Sequence, residues 1–203
     1  MRSAREIIKA AARLSALAAA APFVLSYAVR ALIVGKDRAL QSSTQLLSLV
    51  PGLTGQYIRR AFLSRTIAGC HHTAVVEFGT TFSRAGARLD EHVYIGPGCH
   101  LGLVHVEKNV LMASSVHVPS GAHTHRSDDH VRPIREQGSS ERLVRIGAGS
   151  WIGAAAVVMA DVGPNSIVGA GAVVTQKVPG TVVAAGVPAR VLRSRAERPA
   201  RAV

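Results

Sequence analysis

From Ile146 onward an aliphatic residue followed by a small one recurs at every sixth position: Ile146-Gly147, Ile152-Gly153, then Val162-Gly163 and Val168-Gly169, with Val158 and Val174 in the same phase. Six is neither the period of a helix nor that of a strand, so each hexad marks one short flat face. Three faces make a triangular coil, and coils stack into a solenoid. The phase extends backward through Leu89, Ile95 and Leu101, then Val106, Met112 and Val118, each 17 positions after its counterpart. These side chains are expected to point into the prism and stack coil on coil. The following glycine is expected where the backbone turns a corner and needs angles that crowd a side chain. Only four positions separate Val158 from Val162, which shortens that coil at Asp161. Before Leu89 the phase weakens, although Val76 and Phe82 are six apart and suggest an initial coil, giving four to five in all. A β-sandwich would alternate with period two and recur less regularly.

The first 72 residues follow another pattern. Arg2, Arg5, Lys9 and Arg13 precede an uncharged run, residues 14–29, rich in Ala and Leu. Sixteen residues fall short of the roughly 20 that span a bilayer. Extension to Val34 reaches that length but includes Arg30, and Pro22 sits mid-run. A cleaved signal peptide, a spanning helix, an amphipathic or re-entrant helix lying on the cytoplasmic face and a plain soluble helical cap all fit. Export would separate the solenoid from a cytosolic cofactor, so peripheral contact through residues 1–40 and a cytoplasmic location, at the membrane face, are expected. Residues 41–49 and 56–67 read as two short helices broken at Pro51-Gly52. The chain thus divides into a helical, basic and apolar segment (1–72), a solenoid (73–186) with a loop (119–143), and a basic tail (187–203).

The net charge of +12 suggests nucleic acid until it is located. Residues 73–186 hold nine basic and nine acidic residues, whereas residues 1–40 hold seven against two and residues 187–203 five against one. The N-terminal excess beside an apolar run suits a membrane surface more than a nucleic acid, and the C-terminal excess suits either a phosphorylated ligand or simply a solvated end. Aromatic content is 4%, as a narrow prism filled by Val, Ile, Leu and Ala requires. Cys70 and Cys99 fit no metal spacing and read as reduced thiols in a cytosolic context.

Between Val118 and Val144 the hexad phase disappears, and the loop gathers His123, His125 and His130 beside Asp128 and Asp129. A polar insertion adds nothing to a solenoid's core, and such insertions tend to carry function. Around it stand V-P-S-G-A-H at 118–123, I-G-A-G-S-W-I-G-A at 146–154 and V-V-A-A-G-V-P-A-R-V-L-R at 182–193. With these motifs residues 73–195 resemble the left-handed β-helix acyltransferases of the hexapeptide-repeat family, in the branch of maltose, galactoside and exopolysaccharide O-acetyltransferases. The helical start lies outside the common pattern and resembles a subset associated with polysaccharide synthesis. The resemblance implies a mainly β, left-handed parallel β-helix with an α-helical N-terminal segment, a homotrimer with sites between prisms, and acyl transfer from acetyl-coenzyme A to a saccharide hydroxyl.

The histidine closing the S-G stretch, here His123, is the general base in that branch. A sugar hydroxyl has a pKa far above 7, and a base titrating near neutrality removes its proton as it attacks the thioester. Members of the branch often carry an Asn one coil earlier that holds the acceptor; Gly98, Cys99 and His100 stand in its place. His100 and His117, 17 apart, are expected to stack on one face and border the acceptor with His125. His125 and His130 otherwise read as solvated. Ala154 and Ala170 match positions lining the pantetheine groove. Thr175 and Gln176 match a Thr-Lys pair at the nucleotide end, where Lys177 supplies the displaced charge. Arg190 and Arg193 match two phosphate-facing arginines. No metal is expected. Two alternatives remain: a zinc-dependent hydratase like the γ-type carbonic anhydrases, using His100, His117 and His123, and a catalytically silent scaffold.

Overall fold

The structure, a computed structural model, describes residues 4–196, with side chains from residue 10. The hexads form a parallel solenoid of very short strands. Its first coil is β1 (Gly69–Cys70), β2 (Val75–Val76) and β3 (Thr81–Phe82); its second is β4 (Arg88–Leu89), β5 (Tyr94–Ile95) and β6 (His100–Leu101). The third is β7 (Val104–Val106), β8 (Leu111–Met112) and β9 (His117–Val118), and after the loop the fourth is β10 (Val144–Ile146), β11 (Trp151–Ile152) and β12 (Val157–Val158). The fifth places Val162 beside β13 (Ile167–Val168) and β14 (Val173–Val174), and Val178 begins a partial sixth with β15 (Val182–Ala185). Equivalent strands join into three sheets, one per face of the prism.

The register follows the 17-residue offset. Leu89 pairs with Val106, Ile95 with Met112 and Leu101 with Val118, and none is more than 1% exposed. Sealing each such side chain from water supplies roughly 1.5–3 kcal/mol, and the ladder repeats it along the axis. There are about six coils, not four to five. Val76 pairs with Ile95 and Phe82 with Leu101 at an offset of 19, because Leu89 comes seven positions after Phe82 where Val106 comes five after Leu101.

The hexad glycines have a different physical cause from the expected one. A Cβ on Gly147 would lie 2.5 Å from the nitrogen of Pro164, and one on Gly153 2.4 Å from that of Ala170. The next coil passes too close for any side chain. The left-handed backbone comes two residues later, at Gly149, Ala155, Asn165 and Gly171, with φ between 56° and 68°.

Three helices precede the prism: α1 (Ala4–Val34), α2 (Lys36–Ser48) and α3 (Gly52–Thr66). The first runs through Pro22 without ending. The other two close the open end of the prism, burying Leu40, Leu47, Phe62 and Leu63 near Phe82 and Val76. An exposed coil end would leave backbone groups unpaired, so a solenoid needs a cap. Here the Thr44 hydroxyl bonds both the N–H and the C=O of Phe82 at 3.1 Å, and the Gly79 N–H donates to the Ser48 carbonyl at 2.9 Å. Buried Arg59 donates to the carbonyls of Val76, Leu47 and Val50, tying β2 to the C-terminal end of α2. At the other end the tail expected from residue 187 folds in part as β16 (Arg190–Ser194), antiparallel to β15. Residues 197–203, including the Arg198 and Arg201 of the expected tail, lie outside the described residues.

Candidate active site

Each two-residue strand points one side chain inward and one outward, so the outward positions of a sheet form a ladder. On the face made by β3, β6, β9, β12 and β14 that ladder reads Thr81, His100, His117, Val157, Val173. Its first three rungs are polar and its last two apolar. Nδ1 of His100 is 2.8 Å from the Thr81 hydroxyl, and the two imidazole rings are 5.8 Å apart between centroids. Partial burial, with His100 beside it, pushes the pKa of His117 below the ordinary histidine value and favours its neutral form.

These rungs floor an open cavity of about 350 Å³, walled by Ser120, Thr124 and His125 from the loop, Arg84 from the corner of the first coil, and Gln41 from α2. The structure therefore brings His100, His117 and His125 together. His123 is exposed and stands outside this cavity. Gly102 stands at its edge, where a Cβ would lie 2.7 Å from the Ser120 hydroxyl and 3.0 Å from the Ser120 nitrogen, so the start of the loop would have to shift to admit one.

The loop is folded back on itself. His125 bridges to Ser139, the Ser140 N–H donates to the Thr124 carbonyl at 3.2 Å, and Asp129 accepts from the N–H groups of Val131 and Arg132 and from the Arg132 side chain. Its return limb is clamped to the prism twice. Arg84 makes a two-pronged ion pair with Glu141, and Arg142 donates to Asp161 at 2.6 Å. The arginine holds the Glu141 carboxyl below its ordinary pKa.

The expected cofactor residues flank the apolar end of the same ladder. Ala154 and Ala170 occupy successive turns on one edge of the face, linked by the Gly171 N–H donating to the Ala154 carbonyl at 2.8 Å. Thr175, Gln176 and Lys177 are exposed on the opposite edge, after β14. Arg190, also exposed, begins β16 beside the first edge, next to Ala189, whose N–H donates to Val173. Arg193 lies further round, paired with Val183 on the neighbouring face.

No family model matches the chain. Among curated proteins it is 38% identical over 93 residues to the galactoside O-acetyltransferase of Escherichia coli, covering 44% of this chain and 43% of that one. It is 34% identical over 94 residues to a probable acetyltransferase of Mycobacterium tuberculosis, covering 45% and 31%. The chain thus spans less than half the length of these relatives. A solved galactoside acetyltransferase in complex with coenzyme A superposes with a TM-score of 0.61 at 25% identity, over 78% of this chain and 80% of that one. A maltose O-acetyltransferase from Clostridium difficile superposes at 0.67 and 22% identity, over 80% and 88%. The fold and the repeat are those of the hexapeptide-repeat acyltransferases.

In this hexapeptide-repeat acyltransferase fold, three parts of the cavity escape sequence reasoning. Thr81 is hidden because the first coil is offset by 19 instead of 17; set in that phase, it falls opposite His100. Gln41 and the Arg84–Glu141 clamp are brought in by tertiary packing and have no periodic signal. Among the described residues no group of three or more His, Cys, Asp or Glu side chains is arranged to hold a metal ion within one chain. Both cysteines are free thiols, and burial pushes that of Cys70 up to about 12, so it is not a nucleophile at neutral pH.

Proposed function

We propose that the protein transfers an acetyl group from acetyl-coenzyme A to a hydroxyl of a saccharide. The carrying observation is the ladder on one face of the prism, with a histidine-floored cavity at one end and small-residue edges with cationic side chains at the other. The named activities of the relatives and the coenzyme A of the solved neighbour support it. Successive rungs are about 4.8 Å apart, so two rungs beyond His117 a thioester arm lying between Ala154 and Ala170 reaches the cavity. Arg190 at one edge, Lys177 at the other with Thr175 and Gln176 beside it, and Arg193 round the corner supply fixed charge and polar groups for phosphates.

A loop imidazole takes the acceptor hydroxyl's proton while that oxygen attacks the thioester carbonyl carbon. The tetrahedral oxyanion collapses, the C–S bond breaks, and the imidazolium returns the proton to the departing thiolate. We assign the base to His123, with His100, His117 and His125 positioning the acceptor. His125, already in the cavity of its own chain, is the second reading. His123 serves if a neighbouring prism completes the site. The outward residues Tyr94, Leu111, Trp151 and Ile167 form an apolar stripe on an adjacent face, with Leu111 46% and Trp151 50% exposed, and support a trimer packed there. The test is incubation with acetyl-coenzyme A and a panel of mono- and oligosaccharides, read by mass spectrometry. One added acetyl mass on a sugar, with stoichiometric release of free thiol, is expected; thiol release without an acetylated sugar would refute the acceptor class.

A further inference from the structure

We propose that the outer face of α1 lies flat in the interface of an anionic bilayer, anchoring the prism beside it. The inference stands on the helix and does not depend on the acyl-transfer reading. By length and composition the stretch Ala10–Val34 is apolar enough to cross a membrane, yet 11% of its most apolar window is buried. Both of its sides are apolar. Ala16, Ala20 and Tyr27 face the body of the protein and are buried. On the other side Leu14, Ala18, Ala21, Leu25, Ala28 and Leu32 follow one another at steps of four and three and are all exposed, with the leucines 69%, 68% and 89% exposed. At 1.5 Å per residue this stripe is about 27 Å long, and no charge interrupts it.

The inner contacts decide between spanning and lying flat. The Tyr27 hydroxyl donates to the Thr66 carbonyl at 3.4 Å, its ring meets Phe62 edge-on at 5.9 Å, and Arg30 donates to the hydroxyls of Ser42 and Ser43. A spanning α1 would break these contacts or carry the α2–α3 cap, with Arg59, Arg60 and Arg65, into hydrocarbon, where charged groups are disfavoured. A helix lying in the interface keeps its packed side and sinks the other.

Charge decides between lipid and a second copy. A helix seam that pairs in water is bordered by charged residues that select the partner; here Ser15, Pro22, Leu17 and Val24 border it. Bases instead stand at the far end of the stripe, where Lys36 and Arg38 are exposed; Arg13 and Arg30 lie on the packed side, Arg13 beside Tyr57, Arg60 and His72 and Arg30 against α2. Among the described residues none of these four is ion-paired, since Arg30 is held by hydroxyls and the nearby Asp37 accepts from the Ala85 N–H and approaches Arg84. Exposed cations at the end of an apolar stripe complement phosphate headgroups.

The test is flotation of the full-length protein with phosphatidylcholine vesicles containing about a third phosphatidylglycerol. The protein should rise with them and bind pure phosphatidylcholine at least about ten-fold more weakly. The exposed triple variant Leu14→Gln, Leu25→Gln, Leu32→Gln should lose binding at least about ten-fold with an unchanged thermal midpoint. In a Trp151→Phe background, Leu14→Trp, Leu25→Trp and Leu32→Trp should each be quenched by lipid brominated near the headgroup. Quenching of Leu25→Trp at the bilayer centre would mean a span and overturn the proposal. So would undiminished flotation of the triple variant, or no flotation together with a triple variant of reduced oligomer mass, which would assign the stripe to a second copy.

Discussion

The prism and its helical cap solve burial in opposite ways. In the prism each strand from β2 to β14 seals at least one side chain inside, so the fold is specified six residues at a time and each outward rung is free to carry chemistry; Thr81, His100 and His117 occupy rungs that the core does not need. In the cap no such division exists. Leu40, Leu47 and Phe62 bury against the first coil, Arg59 and Thr44 bond its backbone, and α1 remains apolar on both sides. A repeating core isolates function from stability, whereas a cap merges them.

The sharpest way to break this contrast is inside the prism. Gly153→Val puts a Cβ against the backbone of Ala170 and should cost about 3 kcal/mol, seen as a fall in the thermal midpoint. On the cap, Phe62→Ala should cost a similar ~3–5 kcal/mol. Hydrogen exchange should then rise in residues 36–66 well before residues 144–174; equal rises would show that cap and coils unfold as one. On the cofactor side, Arg190→Ala should raise KM for acetyl-coenzyme A by roughly ten-fold with kcat little changed, as expected for a contact made equally in ground and transition states. An unchanged KM would move the phosphate site.

Smaller effects sharpen the account of the loop and the corners. The folded pKa of Glu141 is depressed by Arg84, so the clamp's contribution is full above the ordinary carboxylate range and is lost as pH falls through the folded value. The pair is partly exposed, which holds its worth below about 1 kcal/mol. Glu141→Gln should abolish that acid-side dependence of loop protection from proteolysis. Ala155 sits at φ 57°, where a side chain is strained, so Ala155→Gly should be neutral or stabilising by up to about 1 kcal/mol. A marked loss at Ala155 would reverse the explanation of which corner residues need freedom and which need space.

Periodicity made the coils legible from Leu89 to Val174, register included, because a residue stacked on its own counterpart repeats in sequence. It reached the first coil only as the pair Val76 and Phe82, without its register, because the corner carries extra residues, and it did not reach the reason for the hexad glycines, which depends on how near the next coil passes. Of the cavity, His100 and His117 were legible as a pair from their spacing. His125 was expected beside them and lies there, but Gln41 and Thr124 were not legible, since the angle of α2 and the loop's hairpin are set by contacts between segments far apart in the chain. The strand formed by Arg190–Ser194 was read as tail because a single edge strand has no period.

In the proposed reaction a loop histidine acts as base above an outward ladder that the core does not require. The most direct test is the saturated rate of His123→Ala with acetyl-coenzyme A and the acceptor found by mass spectrometry, beside His125→Ala and the thermal midpoint of each. The account predicts that His123→Ala lowers kcat by roughly 100-fold or more, with cofactor affinity and midpoint unchanged and a smaller loss for His125→Ala. A wild-type rate in His123→Ala with a collapse in His125→Ala would move the base to the second histidine, and wild-type rates in both would contradict the claim outright.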